Sequence, residues 1–197
     1  MPKTIGYNDH FHGGYETFTT GETGGPVFLE RQMLADVAQA TFDIPFNVYK
    51  AYTWRFYNIS TASNGASLVF QVNSQKDETI TSSAVRAYNN EAGDDNGVGY
   101  RSGEDQSQTG NAELLQDNIG YDPKESCSGF FTMYDPSSET FVKHFMSEMT
   151  TKMNGSGPKH DVRSGYVNYA NYPIFQVHFY TSSGNFKAGT IAMYGIL

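Results

Sequence analysis

Two stretches of alternating apolar and polar residues, separated by a short turn, constrain the fold of this chain more than any other feature. The first covers residues 49–59, the second covers residues 67–74, and Ser63-Asn64-Gly65 lies between them. Alternation with a period of two is typical of strands with one buried face, and Asn-Gly is typical of tight hairpin turns. The sequence therefore predicts a β-hairpin on a core, with sugar stacking as an alternative role for its tryptophan. The predicted core residues are Trp54, Phe56, Leu68 and Phe70.

Further short strands are predicted along the rest of the chain, separated by turn-rich segments. Aromatic residues make up 15% of the sequence, and bulky rings favour strands over helices. Roughly eight to ten short strands at this spacing are typical of a single-domain sandwich or jelly roll. The predicted fold is all-β, an antiparallel β-sandwich of jelly-roll-like form. Its later strands are residues 84–88, 98–101, 113–119, 128–134, 140–149, 162–171 and 174–181, and a last strand from Gly189.

Periodicity leaves two segments open between strand and helix. The apolar residues within 29–38 fit one helical face as well as they fit a strand. Residues 139–153 contain Met and Glu residues that favour a helix, but strong turn signals flank this segment at residues 135–136 and 155–158. A strand is the preferred prediction for the second segment.

Two segments of the sequence resemble small virion proteins of tailed bacteriophages. Residues 182–197 read SSGNFKAGTIAMYGIL, which is similar to an ending of the form SSGNFxSGTIxLYGI in that family. Residues 49–74 are similar to an early hairpin of the same proteins. The resemblance implies a jelly-roll sandwich that closes on its last strand, in a capsid decoration protein or a tail appendage. We expect neighbouring strands to hold this last strand, because terminal segments fray unless they are paired.

The beginning of the chain differs in composition from the rest. Glycines separate aromatic residues there, without the period of a strand or a helix. Loose polar leaders are poor in aromatic residues, whereas spaced rings are suited to pockets on a neighbouring protein. We therefore predict an extended N-terminal arm over residues 1–35 and a sandwich domain over residues 36–197, with a disordered leader as the alternative. The predicted partner contacts are Tyr7, Phe11, Tyr15, Phe18 and Phe28.

Charge and cysteine content exclude several classes of partner. The formal net charge is −8 and no cluster of Lys and Arg opposes it, so neither nucleic acid nor an anionic membrane is an expected partner. Cys127 is the single cysteine, which excludes an intrachain disulfide, and we expect it to be a half-buried apolar residue in a strand. No signal peptide or transmembrane segment is recognised, so folding in a host cytoplasm is expected.

No pattern in the sequence predicts catalysis. Residues 91–105 contain five carboxylates that could bind calcium, but Val98 stands where an EF-hand has a ligand, and a solvated acidic loop is the preferred interpretation. Nucleotide-binding, hydrolase and zinc-protease motifs are absent. We therefore predict a protein that is not an enzyme and that has no metal or other cofactor. A transition-metal site is a weaker alternative, with candidate ligands His10, His12, His144, His160 and His178.

The expected function is structural. The phage resemblance, the acidic composition and the aromatic arm favour a capsid decoration or cement protein that binds the outer surface of the virion and stabilises the shell. Its partners would be the major capsid protein or other virion proteins, and a homo-oligomer, preferably a trimer, would multiply weak contacts. The alternative is a tail-fibre or appendage protein that recognises host glycans through the turn-rich residues 74–111. A carbohydrate-active enzyme has no positive argument, because a chain with 21 acidic residues always contains paired carboxylates.

Overall fold

The structure is a computed structural model that describes residues 25–73, 79–122, 124–153, 157–168 and 172–197. Over these ranges the chain forms strands and no helix, and hence no helix with the length and hydropathy needed to cross a bilayer. The strands are β1 (Val27–Leu34), β2 (Gln39–Asp43), β3 (Ala51–Thr61), β4 (Ala66–Val72), β5 (Ile80–Asn89), β6 (Asn96–Tyr100), β7 (Glu113–Ile119), β8 (Cys127–Tyr134), β9 (Lys143–Lys152), β10 (Pro158–Val167), β11 (Gln176–Thr181) and β12 (Phe186–Ile196).

These strands form two sheets that pack face to face. The larger sheet has the order β1-β12-β3-β8-β9-β10-β5-β6, and the smaller sheet has the order β2-β11-β4-β7. Neighbouring strands are antiparallel throughout both sheets. Alternate side chains from each sheet meet in one apolar core, as in other sandwiches. The predicted antiparallel β-sandwich is confirmed.

The predicted hairpin around Asn64 is wrong. β3 pairs with β12 and β8 in the larger sheet, whereas β4 pairs with β11 and β7 in the smaller sheet. The chain therefore crosses between the sheets after Thr61 instead of folding back beside β3. Gly65 has a φ of +76°, but Asn64 lacks the positive φ that a type I′ hairpin turn requires at both central residues. The alternation that predicted a hairpin also suits two strands whose apolar faces meet across a core.

Aromatic side chains from both sheets build the centre of the core. The ring centroids of Phe70 and Phe131 lie 4.5 Å apart, and those of Phe56 and Phe179 lie 5.0 Å apart in an edge-to-face arrangement. Each such pair contributes about 0.5–1.5 kcal/mol beyond simple burial. The single tryptophan is fully buried, which excludes the sugar-stacking role considered for it. The predicted core residues are all buried, namely Trp54, Phe56, Leu68 and Phe70.

Both segments that periodicity left open are strands. Residues 30–40 contain the end of β1 and the start of β2, and β9 confirms the strand predicted within residues 139–153. β1 lies within the range predicted as an arm, and it pairs with β12 along its whole length. Residues 1–24 of that range lie outside the described residues.

The phage-like ending forms β12, which is hydrogen-bonded to β1 on one side and to β3 on the other. This pairing confirms the expectation that neighbouring strands hold it. Two of its glycines permit close approach of other elements. Gly189 has a φ of +129°, and a Cβ atom on Gly195 would lie 2.4 Å from the ring of Tyr49. The spacing of glycines in this ending therefore has a steric basis.

Candidate functional site

Charged side chains occupy the interior between the sheets at the β10 end of the sandwich. On β10, Lys159, Asp161 and Arg163 are at most 2% exposed, whereas Val162 between them is 39% exposed. The strand thus faces its charges inward and an apolar side chain outward. It was predicted over residues 162–171 but runs from Pro158 to Val167, and residues 169–171 lie outside the described ranges.

Arg86 on β5 is the centre of this group. Its Nε donates to Oδ1 of Asp161 at 2.6 Å and its Nη2 donates to Oδ2 at 2.9 Å. The same guanidinium makes a second bidentate pair with Glu104, at 2.8 and 2.6 Å, and reaches Oδ1 of Asp117 at 2.7 Å. Arg86 and Asp161 are direct partners in the register of β5 and β10, which explains their pairing. Bidentate pairs of this kind are among the stronger hydrogen bonds in proteins.

Two more cations complete the arrangement. Lys159 Nζ binds the carboxylate of Asp117 and donates to its backbone carbonyl at 2.8 Å. Arg163 donates to Oε2 of Glu104 at 2.6 Å and to the backbone carbonyl of the same residue at 2.8 Å. Three positive charges therefore match three negative charges inside the protein. We call this group the ion network; it consists of Arg86, Glu104, Asp117, Lys159, Asp161 and Arg163.

The segment that follows β6 closes the ion network from the open side. β7 is the last strand of the smaller sheet, and the segment 101–112 runs along the edge of β5 beyond β6, from where the side chain of Glu104 reaches Arg86. The backbone N–H of Ser82 donates to the carbonyl of Gln106 at 3.0 Å, and the N–H of Gln106 donates to Oγ of Ser82 at 2.9 Å. Glu104 belongs to this segment. Its ion pairs therefore fasten the segment to the sheet.

Burial and neighbouring charges shift the pKa values of this region in opposite directions. Burial would raise the pKa of Glu104, but hydrogen bonds from Arg101 and Arg163 and the charge of Arg86 lower it below its usual value. Glu113 on β7 lies beside the ion network and accepts a hydrogen bond from Ser82 at 2.9 Å. Burial raises the pKa of Glu113 to about 7, in spite of that bond and of Arg163. Glu113 is thus the acid of this region that titrates near neutral pH.

Three carboxylates of the ion network lie close enough together to raise the question of a metal. Oxygen atoms of Glu104, Asp117 and Asp161 lie within 4.8 Å of one another. Each of these carboxylates is already bonded to Arg86, and each forms an ion pair with a second cation as well. A buried carboxylate whose charge is matched by guanidinium groups has little to gain from a metal ion. The arrangement is therefore best described as a structural ion-pair network.

The acidic residues 91–105, considered above as a calcium loop, do not converge on one point. Glu91 pairs with Lys152 at 2.9 Å, and Asp94 accepts a hydrogen bond from the side chain of Asn90 at 2.6 Å. Asp105 accepts a hydrogen bond from the hydroxyl of Tyr100. Within the part of the chain that the structure describes, only Glu104 of this loop belongs to a cluster of possible ligands. These contacts support the interpretation of a solvated acidic loop.

The histidines considered as metal ligands are not brought together. His10 and His12 lie outside the described residues. His144 stacks edge to face with Tyr166, His160 lies 3.2 Å from Glu148, and His178 bonds to side chains of β2. No histidine among the described residues joins a group of three possible ligands.

Cys127 lies at the start of β8 and is fully buried, deeper than the half-buried position expected for it. Burial raises the pKa of its thiol to about 12, and the charge of Lys159 opposes this shift only in part. The thiolate is the nucleophilic form of cysteine, and it is therefore scarce at neutral pH. Cys127 acts as a packing residue of the core.

The outer face of the larger sheet is rich in exposed apolar side chains near β1. Phe28 is 56% exposed and Met33 is 74% exposed, and both project beside outward-facing residues of β12 and β3. The ring of Phe28 lies 5.7 Å from that of Tyr194 in an edge-to-face contact. We call this surface the edge patch; it consists of Phe28, Met33, Tyr57 and Tyr194. Phe28 is the one predicted partner contact in the described ranges, since Tyr7, Phe11, Tyr15 and Phe18 lie outside them.

A second feature of the same outer face lies farther along the sheet, over β8, β9, β10 and β5. A shallow cleft of 480 Å³ opens there between aromatic and hydroxyl side chains. We call it the outer-face cleft; its outward-facing side chains are Thr81, Ser83, Tyr134, His144, Met146, Ser164 and Tyr166. Sequence reasoning did not find it, because its residues come from four strands that are distant in the chain.

Comparison with known proteins adds little to this description. No family model matches the chain, and no curated protein matches it. Among solved structures, the chain is similar to the crystal structure of the infectious bursal disease virus VP2 subviral particle, with 13% sequence identity and a TM-score of 0.17. The similarity covers 85% of this chain and 41% of the other, so the chain spans less than half of that protein. A TM-score this low carries no argument about fold or function.

Proposed function

We propose that this chain is a structural protein of a bacteriophage virion that decorates or cements the outer surface of the capsid. The observation that carries the proposal is the edge patch, where large apolar side chains stay exposed at the border of an otherwise well-packed sandwich. The patch has two ends, since Arg31 lies between Phe28 and Met33 on the same face. Exposed apolar side chains that contact one another, as Phe28 and Tyr194 do, are typical of protein-binding surfaces.

The position of the edge patch suggests how a partner would bind. Among the described residues, β1 is the terminal strand of the larger sheet, so an added strand could pair with its outer edge. A partner strand on that edge would gain main-chain hydrogen bonds, and its side chains would reach Phe28 and Met33. The predicted aromatic arm precedes this same strand in the sequence. The outer edge of β1 and the edge patch would together form one attachment surface.

Charge and symmetry support the outer surface of a capsid as the place of binding. A net charge of −8 disfavours contact with packaged DNA and is compatible with the outside of a particle. We further propose a trimer as the working oligomer, because copies around one axis add their weak contacts through avidity. Sedimentation equilibrium of the purified chain tests this part separately.

Cosedimentation with purified capsids of the encoding phage tests the attachment surface. The double variant Phe28→Ser and Met33→Ser should lose binding, since it removes the exposed apolar side chains without touching the core. Val98→Ser is the matched control, because Val98 is equally exposed but lies on β6 at the opposite border of the sheet. Undiminished binding of the double variant, or loss of binding in the control as well, would contradict the proposed surface.

A tail-fibre or appendage protein is the alternative, and the outer-face cleft is the observation that favours it. The two functions differ in the number of copies in each particle. A stained gel of purified virions should show on the order of hundreds of copies for a capsid decoration protein, as expected for a shell of repeated subunits. A band that corresponds to a few dozen copies or fewer would contradict decoration and favour the tail.

A further inference from the structure

The outer-face cleft arises because short side chains lie beside long ones on neighbouring strands. Ser83, Ser164 and Met146 are register partners across β5, β10 and β9. Tyr166 and His144 form the next outward pair, with their rings 6.3 Å apart. The two serine hydroxyls lie 3.1 Å apart on the side of the cleft toward β5. The result is a depression with hydroxyl groups at one side and rings at the other.

The chemistry of the lining restricts what could bind. None of the residues that line the cleft is Lys, Arg, Asp or Glu, so apart from His144 the lining offers a charged ligand no ion-pair partner. Serine, threonine and tyrosine hydroxyls both donate and accept hydrogen bonds, and neutral imidazole does the same through its two nitrogens. The aromatic rings and Met146 offer apolar surface. These properties match a ligand that is neutral, rich in hydroxyl groups and apolar on one face.

The size of the cleft is consistent with such a ligand. Its volume of 480 Å³ falls within the range of about 300–1,000 Å³ that is typical of small-molecule sites. Such sites are mostly apolar and aromatic, with a few polar groups that fix orientation. The surface also requires no rearrangement for access, because Tyr134, His144 and Met146 are exposed.

We propose that the outer-face cleft binds a neutral saccharide. One face of a sugar ring would pack on the ring of Tyr166, with Tyr134 and Met146 beside it. The sugar hydroxyl groups would bond to Ser83, Ser164 and the imidazole of His144. The site lies over β8, β9, β10 and β5, whereas the edge patch lies over β1, β12 and β3, so a saccharide and a capsid partner would bind to different parts of the same face.

Saturation-transfer NMR on the full chain tests the proposal. The neutral probes are the methyl glycosides of glucose, galactose, mannose and N-acetylglucosamine, together with lactose and cellobiose. Sialic acid and glucuronic acid are the acidic probes for comparison. We expect transfer to at least one neutral probe, and a loss of affinity of about tenfold or more in Tyr166→Ala, because truncating an aromatic anchor removes much of the binding energy. Ser164→Lys should abolish transfer by filling the cleft with a long side chain at an exposed position. Tyr100→Ala is the matched control, an exposed tyrosine on β6 outside the cleft.

Three results would overturn the proposal. The first is no transfer to any probe at millimolar concentration. The second is that Tyr166→Ala and Ser164→Lys show the same transfer as the wild type and the control Tyr100→Ala. The third is transfer to sialic acid or other acidic sugars alone. Capsid cosedimentation of Tyr166→Ala separates the two proposals. A protein that binds no saccharide can still attach to the capsid through the edge patch. Equally, a protein that does not attach to the capsid can still bind a saccharide in the outer-face cleft.

Discussion

Arg86 and Asp161 stand directly opposite each other on β5 and β10, and two parallel hydrogen bonds of 2.6 and 2.9 Å join them in the interior of the sandwich. The pair is surrounded by two further carboxylates and two further cations. Burying so many charges is costly unless each finds its partner. Each member of the ion network does so, and its geometry therefore controls the stability of this end of the protein.

Removing the central cation should destabilise the fold strongly. Arg86→Ala leaves Asp161, Glu104 and Asp117 with fewer partners in a buried site, and we expect a loss of about 3–5 kcal/mol in the free energy of unfolding. Urea unfolding followed by tryptophan fluorescence measures this loss. Arg55→Ala is the control, since Arg55 is exposed on β3 and should cost about 1 kcal/mol or less through its contact with Phe130. A loss of less than 1 kcal/mol in Arg86→Ala would contradict the importance of the ion network.

Glu113 should make the protein less stable as the pH rises toward neutrality. Its pKa is raised from 4.5 to about 7 in the folded state, so the folded state retains a proton that the unfolded state has lost. The stabilisation is complete below about pH 4.5 and disappears as the pH passes about 7, with a total of at most about 3 kcal/mol. Glu113→Gln, which cannot ionise, should match the wild type near pH 4 and exceed its stability at pH 8.

Unfolding curves from pH 4 to pH 8 test this difference. Glu139→Gln is the control, because Glu139 is exposed and lies outside the ion network. Parallel pH profiles for wild type and Glu113→Gln would show that Glu113 titrates normally.

Glu104 should hold the segment 101–112 on the sheet. Glu104→Ala removes the contacts with Arg86 and Arg163, and we expect faster hydrogen exchange at the amide of Gln106, which donates to Ser82. Arg101→Ala is the control, since Arg101 contacts Glu104 from the solvent side and is itself exposed. Mass spectrometry of peptides spanning residues 101–112 measures the exchange. Equal exchange in the two variants would mean that the backbone contacts alone hold the segment.

Gly195 in β12 should tolerate no larger residue. A Cβ atom at this position would lie 2.4 Å from the ring of Tyr49, so Gly195→Ala should cost about 1–3 kcal/mol through overpacking. A Cβ atom on Gly99 of β6 would have no other atom within 4 Å, so Gly99→Ala should be neutral or slightly stabilising. Thermal unfolding of both variants gives the comparison. A similar midpoint for both would show that the Tyr49 ring moves aside without cost.

The sequence was sufficient to predict strands and buried faces, but not which strands pair. The alternation of Trp54 and Phe56 with polar residues correctly predicted a buried face on β3, and the same holds for Leu68 and Phe70 on β4. Alternation defines the side of a strand that is buried, and it is identical in a hairpin and in a crossing between sheets. The partners of β3 are β12 and β8, both far away in the sequence, and no local pattern records those pairings.

The ion network escaped sequence reasoning for a related reason. Charged residues in a strand are ordinarily assigned to solvent, so Val162 would be placed inside and Arg163 outside. The structure has the reverse, because β7 presents polar side chains to the inner face of β10 and the smaller sheet ends there, so that Glu104 is the partner of Arg86 and Arg163. The signal was present as Lys159, Asp161 and Arg163 at alternate positions. It becomes informative only when Arg86 and Glu104 are known to lie opposite.

The pairing of β12 between β1 and β3 has a consequence for synthesis of the chain. Ile191 pairs with Phe56, so β3 emerges from the ribosome well over a hundred residues before the strand that covers its edge. At about 5–20 residues per second, that interval lasts several seconds or longer. During this time β1 and β3 both present open edges on the side that β12 will later fill. The growing chain therefore carries unpaired strand edges, which favour aggregation, until β12 has been made.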